Sequence, residues 1–143
     1  MEKTASAKWS GDIKAGKGSI STQTGVLSDA PYGFASRFEG GPGTNPEELI
    51  GAAHAGCFTM AFSLMLTLES FVANSIFTKA TVTLDKVGEG FAITKCHLDL
   101  EAKIPSIDRA TFDRISKAAK EGCPVSKLFS GNAEITLNAK LID

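Results

Sequence analysis

The sequence lacks an excess of either charge, since 15 Lys and Arg stand against 16 Asp and Glu and the net charge is −1. Basic and acidic residues are interspersed, so nothing suggests a nucleic-acid or anionic-membrane partner. Cysteine is scarce, with three residues, and the opening stretch, MEKTASAKWSGD, has no apolar segment typical of a signal peptide. We therefore expect a cytoplasmic protein with reduced thiols and no structural disulfide framework.

Several catalytic motifs are absent as well. The chain contains no G-x-S-x-G elbow, no G-x-G-x-x-G or P-loop spacing, and neither C-x-x-C nor H-E-x-x-H. The two histidines, His54 and His97, have no obvious Asp partner in the sequence. These absences disfavour a serine hydrolase, a nucleotide-binding enzyme and a zinc enzyme. We expect no cofactor and no metal.

The most informative feature present is an uncharged run of twenty residues, Leu49–Leu68, LIGAAHAGCFTMAFSLMLTL. Asn45 can cap a helix there, Pro46 suits its first turn, and Glu48 completes a capping box. The pattern predicts a helix over residues 45–70, about 39 Å long. A helix so apolar all round must be buried on every side.

A membrane-spanning helix is the alternative, because the run meets the length criterion. Polar residues dilute it, however, and no Lys or Arg lies close to either end. We favour a central helix covered by the chain's own sheet and by a second subunit.

The remaining segments predict strands, the long helix, strands, two helices and a strand, which is an α+β arrangement in a single domain over residues 1–143. The predicted elements are a hairpin over 6–22, strands at Gly33–Glu39, Lys79–Lys86 and Phe91–Ile104, a helix from Asp108 to about Glu121 that stops at Gly122, a short helix opened by Cys123 and Pro124, and a strand at Glu134–Leu141. One chain of this size could not easily bury the long helix, so a homodimer is expected.

The three cysteines occupy different settings. Cys96 lies on the apolar face of a predicted strand, where cysteine usually packs as a small hydrophobe. Cys123 precedes a short helix, whose dipole and free amides would stabilise a thiolate; simple capping remains the alternative. Cys57 lies in the middle of the long helix, so its activation would require a nearby cation.

Arg37 is the only arginine in the first hundred residues, and Glu47 or Glu48 could hold it in place. Glu47 and Cys57 are ten residues apart, roughly 15 Å along a straight helix. If they cooperate, Glu47 would come from the other subunit. An ordinary surface ion pair is the alternative for Arg37 and Glu47.

His54 lies three residues before Cys57 on the same helical face. A metal site made of His54 and Cys57, completed by Cys123 or His97, is conceivable but matches no established zinc spacing. Packing or a supporting role for His54 is the preferred interpretation.

The segments PYGFASRFEG, GTNPEELIGAAHAGCFTMA, DKVGEGFAITK and GCPVS resemble the osmotically inducible protein C (OsmC) family, and its osmotic branch more than its organic hydroperoxide resistance (Ohr) branch. The resemblance covers essentially the whole chain. It implies an intertwined α+β homodimer, with two long central helices packed between antiparallel sheets. It also implies a thiol peroxidase that reduces organic hydroperoxides in oxidative and osmotic stress defence.

The resemblance further implies a role for each of four residues. Cys57 corresponds to the peroxidatic cysteine and Cys123 to the resolving cysteine, which together form a redox-active disulfide. Arg37 and Glu47 correspond to the pair that activates the peroxidatic thiolate. An external dithiol, of the lipoyl type in the family, would reduce the disulfide. Two hypotheses compete with this one. The first is a non-enzymatic metal- or ligand-binding dimer that uses His54 and Cys57 in a buried pocket, and the second is a structural stress protein with inert thiols.

Overall fold

The computed structural model describes residues 1–142, and its N-terminal part is the predicted glycine-containing hairpin extended by one strand. Three antiparallel strands pair in the order β1-β2-β3: β1 (Ala5–Ser10), β2 (Lys17–Thr22) and β3 (Ala30–Tyr32). Gly18 has no room for a side chain, because a Cβ there would lie 2.3 Å from the Tyr32 ring and 2.8 Å from the Trp9 ring. This close approach lets the two aromatic rings pack at 5.6 Å between centroids.

The strand predicted at Gly33–Glu39 is wrong. Residues Phe34–Phe38 form a short helix, α1, and the strand ends before it at Tyr32. The two phenylalanines fit a period of two, but they are also four residues apart, and their rings meet at 5.0 Å across one helical turn. The Ser36 hydroxyl accepts from the Gly33 N–H and donates to the Thr44 carbonyl, both at 2.9 Å, which stabilises the turn.

The long helix is present as α2 (Pro46–Leu68). Asn45 caps it as predicted, since its Oδ1 accepts from the Glu48 N–H at 2.8 Å. The predicted capping box is not formed, because the Glu48 carboxylate accepts from the Thr44 hydroxyl at 3.3 Å instead. Glu47 and Glu48 lie in the first turn of α2, where their negative charges interact favourably with the positive end of the helix dipole.

Only one face of α2 is buried within a single chain, so burial on every side requires the expected second subunit, which stays a prediction. The buried positions recur every three or four residues, as on one helical face: Gly51, His54, Phe58, Phe62 and Leu66. Large apolar side chains are exposed elsewhere on the helix, namely Met60, Leu64 and Leu68. By length and composition alone α2 could cross a membrane, a test that the core helix of a soluble protein also passes.

A second sheet follows α2 and contains strands in the order β4-β5-β6: β4 (Ser75–Val87), β5 (Gly90–Lys103) and β6 (Glu134–Leu141). β4 and β5 are antiparallel, but β6 runs parallel to β5. The prediction of purely antiparallel sheets is therefore wrong for this pairing. Two helices lie between β5 and β6 in the chain, which is the crossover that parallel neighbours need.

Those helices are α3 (Arg109–Gly122) and α4 (Pro124–Phe129). Asp108 caps α3 as predicted, accepting from the Thr111 N–H at 3.0 Å. Gly122 does not follow the helix but is its last residue, and Cys123 is the cap. A Cβ at Gly122 would lie 3.0 Å from Cε of Met65, so glycine lets the end of α3 approach α2.

The chain forms two compact units, a first unit of residues 1–49 and a second unit that starts at Ile50. The second unit contains the main hydrophobic core. Its fully buried side chains come from α2, β5 and α3: Phe58, Phe62, Leu66, Leu98, Leu100, Phe112 and Ile115. The predicted α+β class is confirmed by these elements.

Candidate active site

Two of the three cysteines meet in the second unit. The sulfur of Cys123 donates a hydrogen bond to the sulfur of Cys57, and the two atoms are 3.1 Å apart. All three cysteines are free thiols. A disulfide requires about 2.05 Å between sulfurs, so the pair needs to close by roughly 1 Å to form one.

The chain turn between α3 and α4 holds Cys123 at this position. Its N–H donates to the Ala119 carbonyl at 2.9 Å, which ends α3. Its own carbonyl accepts from the Lys127 N–H at 3.0 Å, which begins α4. Pro124 then occupies the first turn of α4, where its missing N–H is no loss. The Cys123 side chain is fully buried in the core, whereas Cys57 is partly exposed.

The environment of Cys57 acts on its acidity in opposing directions. Burial raises the pKa of the Cys57 thiol above its usual value, and the Cys123 thiol raises it further, whereas the backbone N–H of Val125 lowers it. Val125 lies in the first turn of α4. This one amide at the helix start favours a thiolate at Cys57, whereas the sequence predicts such an effect on Cys123. None of the groups that shift this pKa is a cation.

Arg37 and Glu47 form an ion pair in the first unit, as the sequence suggested. Arg37 Nε donates to one carboxylate oxygen of Glu47 at 3.2 Å, and Nη2 donates to the other at 2.7 Å. This two-point geometry fixes the guanidinium plane more firmly than a single contact would. The Glu47 side chain is 13% exposed and that of Arg37 36%, which distinguishes the pair from a fully solvated one.

An apolar cavity of about 70 Å³ lies beside this arginine in the first unit. Its lining combines aromatic and aliphatic side chains with Arg37: Trp9, Ile13, Tyr32, Gly33, Phe34, Phe38 and Pro46. The Arg37 guanidinium carbon also lies 5.3 Å from the centre of the Phe38 ring. The first unit thus provides a cation in an apolar setting.

Cys96 is buried in the core, as predicted, but it has a polar neighbour that the sequence did not reveal. Its sulfur lies 2.9 Å from Nδ1 of His54, whose other nitrogen, Nε2, lies 2.8 Å from the Ser126 hydroxyl. Burial raises the pKa of the Cys96 thiol and lowers that of the His54 imidazole, so both groups are neutral at pH 7. In the sequence, only the position of His54 on the same helical face as Cys57 points to this group of side chains.

The nitrogens of His54 thus face Cys96 and Ser126 rather than Cys57. Within residues 1–142, no three His, Cys, Asp or Glu side chains are grouped as metal ligands. His97 has a carboxylate neighbour after all, Asp99, at 3.3 Å, and its Nδ1 lies 2.6 Å from the Thr136 hydroxyl.

Comparison with known proteins gives one family. The family model for OsmC-like protein matches residues 39–138. This range includes Glu47, Cys57 and Cys123, and it begins two residues after Arg37. Peroxiredoxin OsmC of Escherichia coli (strain K12) is 58% identical over 141 residues, which are 99% of this chain and 97% of that protein. Organic hydroperoxide resistance protein OhrB of Bacillus subtilis (strain 168) is 31% identical over 124 residues, covering 86% of this chain and 89% of OhrB. The crystal structure of OhrB superposes with a TM-score of 0.72 over 96% of this chain and 98% of that chain.

Proposed function

This chain belongs to the OsmC-like protein family, and from that membership we infer that it is a peroxidase that reduces organic hydroperoxides in stress defence. The observation that carries the inference is the contact between the Cys57 and Cys123 sulfurs at 3.1 Å. A peroxidase that cycles through a disulfide needs two thiols at this kind of distance, one of them accessible. Cys57 is the accessible one.

The first step is attack of the Cys57 thiolate on the distal oxygen of the hydroperoxide. The O–O bond breaks, the sulfur is oxidised to a sulfenic acid, and the leaving alkoxide takes up a proton to become an alcohol. The Cys123 thiol then attacks the sulfenic sulfur, which forms the Cys57–Cys123 disulfide and releases water. An external dithiol, which we propose to be of the lipoyl type, returns both thiols by exchange through a mixed disulfide.

Cys57 needs a positive charge for this chemistry, because burial and the neighbouring thiol hold its pKa above the usual value. Glu47 and Cys57 of one chain lie ten residues apart along α2, roughly 15 Å. We therefore propose that Arg37 of the second subunit provides that charge, and that Glu47 of the same subunit fixes the guanidinium by accepting two hydrogen bonds. A guanidinium near a buried thiol favours the thiolate, and it also stabilises the negative charge that develops on the peroxide oxygens.

We further propose that the active molecule is a cytoplasmic homodimer of single OsmC-like domains with intertwined subunits. Met60, Leu64 and Leu68 support this proposal, since they lie on α2 and are 75%, 60% and 75% exposed in one chain. A second copy of α2 against this face would bury them and create the central helix pair. Sedimentation velocity at micromolar concentration should give a dimer, and a monomer at every concentration would contradict this part of the proposal.

The apolar lining beside Arg37 favours a hydroperoxide with an organic substituent over hydrogen peroxide. Comparing kcat/KM for cumene hydroperoxide, tert-butyl hydroperoxide and hydrogen peroxide tests this preference. Equal values for all three would remove the argument from the cavity while leaving the peroxidase class intact.

The experiment that tests the function is steady-state reduction of cumene hydroperoxide with a dithiol reductant, for the wild type and three variants. Cys57→Ser should abolish turnover. Cys123→Ser should abolish it or make it depend on small thiols that reach the sulfenic acid directly. Cys96→Ser is the matched control, because it replaces a buried thiol outside the sulfur pair and keeps a hydroxyl that can bond to Nδ1 of His54, so it should retain turnover. An active Cys57→Ser variant would refute the assignment.

A further inference from the structure

His54 connects α2 to α4 through a buried hydrogen bond. Its Nε2 lies 2.8 Å from the Ser126 hydroxyl on α4, and its Nδ1 lies 2.9 Å from the Cys96 sulfur on β5. All three side chains are buried, with exposures of 0% for His54 and Cys96 and 4% for Ser126. We call this set the His54 cluster.

The position of the cluster relative to the thiols follows from helix geometry. His54 lies three residues before Cys57 on α2, and Ser126 lies three residues after Cys123 on α4. One helical turn is 3.6 residues. The same two segments of chain are therefore joined at two points, by the sulfur pair and by the His54–Ser126 hydrogen bond.

α4 contains six residues, so it has few internal hydrogen bonds of its own to stabilise it. A helix that short is unstable without tertiary contacts. A neutral imidazole has one donor and one acceptor nitrogen, and both of these nitrogens have partners here. Removal of the Ser126 hydroxyl would leave a buried nitrogen unsatisfied, which costs more than the hydrogen bond itself contributes.

We propose that His54 is a positioning residue for disulfide formation: by holding Ser126 it fixes α4, and so keeps the Cys123 sulfur within reach of the Cys57 sulfenic acid. This inference rests on the two-thiol function proposed above. The sulfenic acid has two fates, and the His54 cluster favours one of them. Condensation with the Cys123 thiol gives the disulfide and water, whereas attack on a second hydroperoxide gives a sulfinic acid and an alcohol.

The experiment measures how the sulfenic acid partitions between these fates. Reduced protein is treated with increasing cumene hydroperoxide, and mass spectrometry counts disulfide against Cys57 sulfinic acid. In Ser126→Ala, the peroxide concentration that converts half of Cys57 to sulfinic acid should fall roughly three- to tenfold, the effect of one lost buried hydrogen bond on the condensation rate. His54→Gln, which cannot span both partners, should shift in the same direction and serves if Ser126→Ala does not fold.

Ser116→Ala is the matched control. Ser116 is 2% exposed and donates to the Asp113 carbonyl on α3, so the same chemical change is made in a buried site outside the His54 cluster. Ser126→Thr, which retains the hydroxyl, should partition as the wild type does. If the shift in the peroxide concentration came from a general loss of stability, Ser116→Ala and Ser126→Ala would both show it.

Three outcomes are informative. A shift in Ser126→Ala and His54→Gln, with none in Ser116→Ala, supports the inference. A wild type that forms the disulfide, together with a Ser126→Ala variant that partitions as the wild type does, overturns the positioning role alone. A wild type that forms no Cys57–Cys123 disulfide overturns the two-thiol function and this inference with it.

Discussion

Oxidation of the Cys57–Cys123 pair should stabilise the protein against unfolding. The two residues are separated by 66 positions in sequence and their sulfurs by 3.1 Å in the fold. Closing a loop of that length removes chain entropy from the unfolded state worth about 4 kcal/mol at 25 °C, and measured disulfides commonly contribute 2–4 kcal/mol. A change of 1 kcal/mol shifts Tm by about 3 °C in a chain of this size, so oxidation should raise Tm by roughly 6–12 °C.

The assay is thermal unfolding followed by circular dichroism, on reduced protein and on protein oxidised with one equivalent of cumene hydroperoxide. Both samples must have the same protein concentration, because subunit association makes Tm depend on concentration. Cys123→Ser is the control, since its sulfenic acid has no resolving thiol and the loop stays open. Cys96→Ser should behave as the wild type does, with the full rise in Tm.

Two results would refute this reasoning. One is an unchanged Tm in oxidised protein whose disulfide is verified by mass spectrometry. It would mean that the segments around Cys57 and Cys123 do not move independently in the reduced unfolded chain, so that the disulfide removes little entropy. A rise of the same size in Cys123→Ser would mean that oxidation of Cys57 alone stabilises the fold.

Three further predictions follow from single side chains. Arg37→Met should lower the rate of cumene hydroperoxide reduction at pH 7 by about tenfold or more. The rate should recover in part at pH 9, because a higher pH restores the thiolate that the lost charge favoured. A pH–rate profile checks this, and an unchanged profile would exclude Arg37 from activation of the thiol. Burial depresses the pKa of His54, so below about pH 6.5 the unfolded chain binds a proton that the folded chain does not. The free energy of unfolding should therefore fall by up to about 1.4 kcal/mol per pH unit towards pH 5. Urea unfolding at several pH values should show a steeper loss of stability in the wild type than in His54→Gln. Asp108→Ala removes the cap of α3 and should cost about 1 kcal/mol of stability, while peroxide reduction at saturating substrate stays unchanged.

The elements that the sequence predicted well are those with an unambiguous period and a clear end signal. The helix from Pro46 has a cap and a proline at its start, and β5 alternates polar and apolar residues from Lys95 to Lys103. The sequence predicts a strand after Tyr32 because Phe34 and Phe38 fit the strand period as well as the helix period. The Ser36 hydroxyl, whose hydrogen bonds hold this turn in place, bonds to Thr44 eight residues away. Contacts that depend on such distant partners leave no local pattern.

The same limit applies to the site. The sequence drew attention to Cys57 and Cys123 through their local settings, and to Arg37 through the scarcity of other arginines. It could not place the Val125 amide against Cys57, because that contact depends on how α4 packs on α2. It also missed the link of His54 to Cys96 and Ser126, which are 42 and 72 residues away in the chain.

The most direct test of a two-thiol peroxidase is the number of thiols lost in one turnover. Reduced wild-type protein is mixed with one equivalent of cumene hydroperoxide, its remaining thiols are counted, and its peptides are mapped without reduction. The predicted result is the loss of two of the three thiols, with cross-linked peptides that contain Cys57 and Cys123 and with Cys96 still free. Loss of a single thiol without a cross-link, or a cross-link that contains Cys96, would contradict it.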